Sequence, residues 1–375
     1  MNFDFSDDQK QIKDQARKFL SEKCTTKNVR NLYTGSGGYD AGLWKQIAQM
    51  GWMGTAIPEE FGGLGLGYLE LCVVAEELGR ALAPVPFSST VYLFAEALLA
   101  AGSDEQKKRL LPKVASGELI GTFARSEGPG AVTPKNLRCS FRNGKLSGAK
   151  TPVTDGMDAQ YAVVLARGSE EAGERGLQLV LVDLTGAGVK RRKANSLDPS
   201  RGSAEIVFDN APAEALGKPG EGWSAANRVL ERAAILMAFE QVGGADQCLV
   251  MAKDYAMQRY AFGRPIASFQ AIKHKLADMY VGNELARSNA YYGAWALSTG
   301  ARELPLAAAA ARISATQAFD FASKENIQTH GGIGFTWEAD CHFYYKRSKQ
   351  LGLALGPQRA WKEKLVGELE QSNAA

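Results

Sequence analysis

The hydrophobic pattern of the chain changes period twice, and that order limits the folds open to it. Helical spacing runs to about residue 118, short alternating runs bounded by Gly, Asp and Pro follow to about residue 218, and helical spacing then returns. At the start, Ser6-Asp-Asp-Gln9 reads as a capping box, with Ile12, Ala16, Phe19 and Leu20 as the apolar stripe behind it. Residues 43–50 predict a short helix stopped by Gly51. Residues 69–82, 91–101 and 105–115 predict three more, the last opening after Ser103-Asp104. In the middle stretch, Phe141-Arg-Asn-Gly-Lys-Leu146 predicts a hairpin, because Asn-Gly accepts the positive φ of a type I′ turn. Residues 160–165, 177–183 and 204–208 are rich in strand formers, and several short strands at this spacing suggest a small sandwich or barrel. Residues 225–260, 269–299, 306–330 and 357–369 then predict helices with wide apolar faces, a bundle that a second subunit can share. The expected architecture is therefore α+β and multi-domain: an N-terminal helical domain (1–118), a central β-sandwich or barrel domain (119–218) and a C-terminal helical bundle (219–375).

Composition removes several function classes. With 44 Lys and Arg against 41 Asp and Glu, the net charge of +3 gives no electrostatic footprint for nucleic acid. The one basic cluster, Lys190-Arg-Arg-Lys193, reads as a solvated loop or strand end rather than a phosphate site. Five scattered cysteines without a C-x-x-C pair suit buried, reduced thiols. No run is long and apolar enough to span a membrane, and the first residues lack the apolar core of a signal peptide. A cytoplasmic protein without membrane or nucleic-acid partners is expected. His274, His330 and His342 lack metal-ligand spacing and read as cap or interface residues, so no metal site is expected. Asp340 and the run Phe343-Tyr-Tyr345 read as packing. The glycine-rich Ile57-to-Gly67 loop is neither a Rossmann nor a P-loop fingerprint.

The chemistry concentrates in the run from Gln258 to Gln270, which holds cations, aromatics, a Gly-x-Pro break and an amide. Such groups suit a flat, polar, phosphate-bearing cofactor. Together with Ile57-Pro-Glu-Glu-Phe-Gly-Gly63 and Gln328-Thr-His-Gly-Gly-Ile-Gly-Phe335, this run resembles the acyl-CoA dehydrogenase family over essentially the whole chain. The resemblance implies a C-terminal four-helix bundle and non-covalent FAD at a subunit interface. It also implies oxidation of an acyl-CoA thioester to the trans-2-enoyl-CoA: a Glu removes the α-proton, the flavin accepts the β-hydride, and an electron-transferring flavoprotein takes the electrons. On the family's pattern Arg259 supplies a fixed charge for the pyrophosphate. Phe262 packs on an apolar part of the cofactor, Gln270 and Gln328 offer amides, and Gly331 and Gly332 admit close backbone approach. These residues would reach the neighbouring protomer's FAD. Ser126, after Phe123-Ala-Arg, and Thr154 match flavin contacts. The plain alternative is a helix-end Arg, a core Phe, capping glycines and ordinary strand hydroxyls. Pro152 stands where the family commonly has a flavin-shielding Trp.

One part of the pattern is missing. Leu355, in Gly352-Leu-Ala-Leu-Gly-Pro357, takes the position of the family's catalytic Glu. The position used by a smaller branch, on the first long C-terminal helix, is Ala233, and neighbouring Ala234 replaces an Arg found near the CoA. Glu231 is the candidate base that remains, although it lies roughly 200° around an ideal helix from Ala233. Relatives often carry there an Asp that hydrogen-bonds the pantetheine arm. Glu240 is on nearly the same face as Ala233 but about 10 Å along the axis, and reads as a buried structural group. The expected protein is an FAD-dependent acyl-CoA dehydrogenase chain, as a homo-oligomer or in a heterotetramer with a second dehydrogenase chain. Such heteromers act in some bacteria on bulky acyl-CoAs such as sterol derivatives. The rivals are a self-sufficient enzyme using Glu231 or Glu240, a flavin oxygenase on the same fold, and a non-catalytic scaffold subunit.

Overall fold

The computed structural model describes residues 5–35 and 38–374. In chain order the first helices are α1 (Asp7–Lys23), α2 (Thr26–Thr34), α3 (Ala41–Gln49), α4 (Tyr68–Arg80), α5 (Glu96–Ala101) and α6 (Asp104–Ala115). Next come strands β1 (Gly121–Ala124), β2 (Ser140–Arg142), β3 (Lys145–Thr154), β4 (Tyr161–Arg167), β5 (Leu177–Asp183), β6 (Val189–Ala194) and β7 (Ser203–Leu216). Helix α7 (Gly222–Gln258), the short strands β8 (Tyr260–Ala261) and β9 (Arg264–Pro265), α8 (Gln270–Thr299), α9 (Leu304–His330), α10 (Cys341–Ala354) and α11 (Gln358–Ala374) complete the chain. The helical, β, helical order is the one the sequence predicts. By internal contacts the residues form two compact units. One is Met1–Arg30, Tyr68–Ala83 and Ala234–Ala375; the other is Asn31–Gly67 and Pro84–Ala233.

Local signals act as read. Ser6 and Ser103 each close a full capping box, with Gln9 and Gln106 as the reciprocal partners. Gly51 at φ 76° follows α3, and Asn143 and Gly144 turn between β2 and β3 at φ 49° and 74°. All five cysteines are buried and free. Two helices, α2 and α10, lie outside the sequence expectation. In α10 the aromatic run does pack, with Phe343 and Tyr344 buried, but Arg347 and Ser348 are buried beside them. Polar side chains on the inward face erase the period that marks a helix.

The second unit is built on a β-barrel. Pairings β4–β5, β5–β7, β7–β3, β3–β2 and β2–β4 close a ring, with β1 added along β4 and β6 along β7. Strands β4 and β5 are buried along nearly their whole length, which explains their unbroken apolar runs. The β3–β7 register slips between Lys150 and Val153, where Pro152 can donate no ladder bond. The slip reverses the inward–outward alternation, so Lys150 and Val153 are both buried. Basic strand β6 is partly employed: Arg191 donates to the carbonyls of Met157 and Ala159, and Arg192 pairs with Glu205.

The first unit is helical, and two glycines set its spacing. A Cβ on Gly79 of α4 would stand 1.8 Å from the Glu240 carbonyl of α7, and one on Gly243 1.9 Å from the Glu76 carbonyl. Such close backbones bury Glu76 completely, with 0% exposure. Lys13 of α1 reaches it at 2.7 Å and Arg287 of α8 at 2.5 Å. Arg287 also holds Asp246, which binds Arg80 at 3.0 Å, and Glu77 takes Arg17 at 2.8 Å. Burial by itself would raise the Glu76 carboxyl. Arg287 and Lys13 outweigh it and leave the group below the usual carboxylate range.

Two outcomes follow. Gly243→Ala should lower the unfolding free energy by roughly 3 kcal/mol, read from the denaturant midpoint, because backbone cannot yield as a flexible side chain can. Since Glu76 is depressed in the fold, its contribution is complete above its unfolded value and is lost as pH falls through the folded one. Glu76→Gln should therefore destabilise by about 3 kcal/mol at pH 7 and reduce the loss of stability on acidification below about pH 4.5. An unchanged acid slope would assign that titration to another group.

Candidate functional site

Helix α7 ends at Gln258, and the chain turns through the two-residue strands β8 and β9 before α8 begins. Phe262 and Gly263 form the turn at φ 53° and 77°, a conformation that glycine accepts freely and phenylalanine rarely adopts. The Phe262 ring is 95% exposed, with its edge toward Phe269 at 6.2 Å between centroids. It is not the core Phe of the plain alternative. Arg264 lies 4.1 Å over the Phe269 ring and stiffens the base of the hairpin. Arg259 is fixed through its backbone, its N–H donating to Tyr255 and its carbonyl accepting from Ile266, both at 2.8 Å. Its side chain is exposed, as is that of Gln270, the first residue of α8.

The Gln328-to-Phe335 motif comes to the same end of this unit. Tyr255 near the end of α7 stacks on His330 at the end of α9, with centroids 4.3 Å apart and an interplanar angle of 27°. Lys275 of α8 pairs with Glu325 of α9 at 2.6 Å. Gln328 is exposed on the last turn of α9. Gly331 has φ 64° and ψ −138°, a backbone region essentially closed to residues with a Cβ. Around Gly331 and Gly332 a Cβ would meet nothing within 4 Å. A guanidinium, two amides, an exposed aromatic ring and uncovered glycine backbone are thus presented by three helix ends held together. This donor set fits a diphosphate-bearing flavin nucleotide.

In the barrel unit, Ser126 lies just after β1, and its carbonyl accepts the Thr151 N–H at 2.9 Å. Thr154 ends β3, its carbonyl accepting from the Thr122 hydroxyl at 2.7 Å. The chain leaving β1 and the end of β3 are therefore tied together. Pro152 is exposed between them, after a cis Thr151–Pro152 peptide. The sequence reading missed the supports of this rim. Lys150 bonds Glu127 at 2.7 Å, and Asp155 accepts from the Ser89 hydroxyl at 2.6 Å beside Arg201. Counting alternate residues inward from Leu146 along β3 would have exposed Lys150 as a buried cation. Asp155 gives no such signal, because its partners come from sequence-distant segments.

The acids are placed as follows. Leu355 is 2% exposed at the end of α10, its carbonyl accepting from the Trp361 indole at 3.2 Å. Ala233 is fully buried in α7. That helix is unbroken from Gly222 to Gln258, so no bulge turns Glu231 toward the Ala233 face. Glu231 is buried, and its neighbour Arg232 pairs with Glu96 at 3.4 Å. Glu240 lies 4.0 Å from the buried Arg347, the structural role expected for it. Arg312, pushed down to about 9 by burial, donates to Gln241 at 2.6 Å and to the Leu351 carbonyl. His342 stacks on Trp337, and burial pushes it down to about 4.

Comparison with known proteins agrees with this geometry. The family models for the acyl-CoA dehydrogenase N-terminal and C-terminal domains match residues 6–118 and 220–360. Acyl-CoA dehydrogenase IpdE2 of Mycobacterium tuberculosis is 32% identical over 345 residues, covering 92% of this chain and 92% of its own. Mitochondrial isovaleryl-CoA dehydrogenase of Solanum tuberosum is 31% identical over 363 residues, covering 94% of this chain and 88% of its own. The crystal structure of the ChsE4-ChsE5 complex from Mycobacterium tuberculosis superposes with a TM-score of 0.88 at 25% identity, over 99% of each chain. The chain belongs to the acyl-CoA dehydrogenase family, flavoprotein oxidoreductases acting on the CH–CH bond of acyl-CoA thioesters.

Proposed function

We propose that this chain binds FAD and completes the flavin site of a heteromeric acyl-CoA dehydrogenase, in which a partner chain of the same fold supplies the α-proton base. The observation that carries this reading is that both positions where the resemblance places the acid hold buried apolar side chains, Leu355 and Ala233. A general base must reach its proton directly or through one water. Glu240 faces Arg347, and the unbroken α7 keeps Glu231 roughly 200° from Ala233. Glu231 is then better suited to the pantetheine arm of the CoA, and it is the residue to test as a base of the chain's own. Similarity to a chain of the ChsE4-ChsE5 complex supports pairing with a second, related chain.

FAD, when bound, supplies the hydride acceptor. Arg259 binds its diphosphate, Gln270 and Gln328 add amide bonds, Phe262 covers an apolar part, and Gly331 and Gly332 let backbone N–H groups approach. These groups serve the cofactor of an adjoining protomer, which accounts for an aromatic ring held out at 95% exposure. Ser126 and Thr154 would hold the flavin ring from the barrel side. An electron-transferring flavoprotein is the proposed acceptor, in a cytoplasmic setting; among the described residues no helix is long and apolar enough to cross a membrane.

Anaerobic titration with acyl-CoAs of different size tests the reading. Flavin absorbance should bleach when the partner chain is present and persist when this chain is alone. Bleaching by the chain alone, abolished in Glu231→Gln, would establish self-sufficiency instead. Oxygen-dependent turnover would indicate an oxygenase, and absence of flavin from both preparations a scaffold. Leu355→Glu should raise the rate of flavin reduction by the isolated chain by about 10²-fold or more. Phe262→Asn, which suits the left-handed turn, should leave apoprotein stability within about 0.5 kcal/mol while reducing the flavin retained on purification. A marked fall in apoprotein stability would mean that the ring packs within its own protomer.

A further inference from the structure

We propose that Lys150 and Glu127 form a positioning pair that fixes Ser126 against the flavin, an inference resting on the cofactor role given to Ser126 above. The side chain of Lys150 is fully buried, and its ammonium makes three bonds: to the Arg125 carbonyl at 3.2 Å, to Glu127 Oε1 at 2.7 Å and to the Leu165 carbonyl at 2.6 Å. Arg125 and Glu127 are the two chain neighbours of Ser126. One ammonium therefore grips the carbonyl before Ser126 and the carboxylate after it. The Ser126 carbonyl is held as well, by the Thr151 N–H at 2.9 Å. Glu127 extends the clamp, accepting from the N–H groups of Arg138 at 2.7 Å and Cys139 at 3.0 Å. The intervening loop, with Gly128 and Gly130 at positive φ, is thereby pinned at both ends.

Stability alone accounts poorly for this arrangement. Moving an ammonium out of water is expensive, and replacing a buried ion pair with apolar residues of similar volume is often neutral or stabilising. The β3 bulge at Thr151–Pro152 also interrupts ladder bonding, and it is what leaves both Lys150 and Val153 facing inward. What the pair adds is a fixed backbone at Ser126, with all three ammonium protons used and both carboxylate oxygens occupied.

A double-mutant cycle on the flavoprotein decides it. Ser126→Ala, Lys150→Met and the double variant are prepared as apoproteins and titrated with FAD, reading flavin fluorescence for Kd and the position of the long-wavelength absorption band. Each single variant should weaken FAD binding roughly tenfold and move the band in the same direction. The double variant should be no more than about twofold weaker than either single, because Lys150 acts through Ser126. Additive losses of about a hundredfold overturn the proposal, as does a folded Lys150→Met with the wild-type Kd and band. Unchanged FAD binding in Ser126→Ala, with wild type binding normally, also overturns it and leaves the wider FAD reading intact. A wild-type protein that takes up no FAD overturns that reading itself. Should Lys150→Met fail to unfold cooperatively, Glu127→Gln, which keeps one acceptor oxygen, enters the same cycle with the same criteria.

Discussion

The helical unit depends on the contact between the backbones of α4 and α7. Gly79 and Gly243 each face a carbonyl of the opposite helix at a distance no Cβ could share. The carboxylates of Glu76 and Glu77 beside that seam are buried, so they need partners from neighbouring helices. Lys13 and Arg17 bring α1, and Arg287 brings α8. On another side of α7, Gly244 leaves room for the Phe319 ring of α9. The single run Val242-Gly-Gly-Ala245 thus sets α7 against two helices. Three of these helices, α7, α8 and α9, carry the ends where Tyr255, Gln270 and His330 lie. The residues proposed to face the cofactor inherit their placement from a packing constraint well away from them.

The barrel unit works by a different means. A β-strand alternates its side chains rigidly, so re-aiming one requires a break in the ladder. Pro152 supplies the break by lacking an N–H, and the extra residue puts Lys150 and Val153 on the same face. Barrel closure elsewhere is thin, since β2 meets β4 through a single residue pair, Ser140 with Arg167. The Lys150–Glu127 pair joins the β1 exit, β3 and β4 in the same unit. A costly buried charge and a defective ladder are tolerated together where the chain must hold a precise shape.

What could be read in the sequence follows from what each signal reports. Caps, the Asn143-Gly144 turn and long periodic helices are local, and they stand where the residues predict them. Helix α10 escaped because Arg347 and Ser348 occupy its buried face, breaking the apolar period without breaking the helix. The family motifs identified the segments of the candidate site, and Phe262 illustrates the limit of that information. Its residue type alone favours a core ring over a ligand contact, and only the structure shows it held out at 95% exposure. Lys150 is legible from strand alternation as a buried cation, but Glu127, Asp155 and Arg201 carry no local signal, because their partners lie far away in sequence.

The missing acid has a physical counterpart in stability. A carboxylate poised to take a proton in a dry pocket bears a desolvation cost, which an enzyme sustains only where the chemistry requires it. At 355 this chain buries a leucine, worth about 2 kcal/mol in apolar transfer, and at 233 a fully buried alanine. Neither Glu231 nor Glu240 is re-aimed toward those positions: α7 stays regular through Glu231, and Glu240 stays beside Arg347. The groups proposed to hold the flavin show the opposite pattern. An aromatic at positive φ, a glycine in a region closed to other residues and a buried ammonium are all arrangements that cost stability. Costly features on the proposed cofactor side, with cheap apolar ones at the two positions given for the acid, fit the proposal that this chain places a flavin while a partner supplies the base.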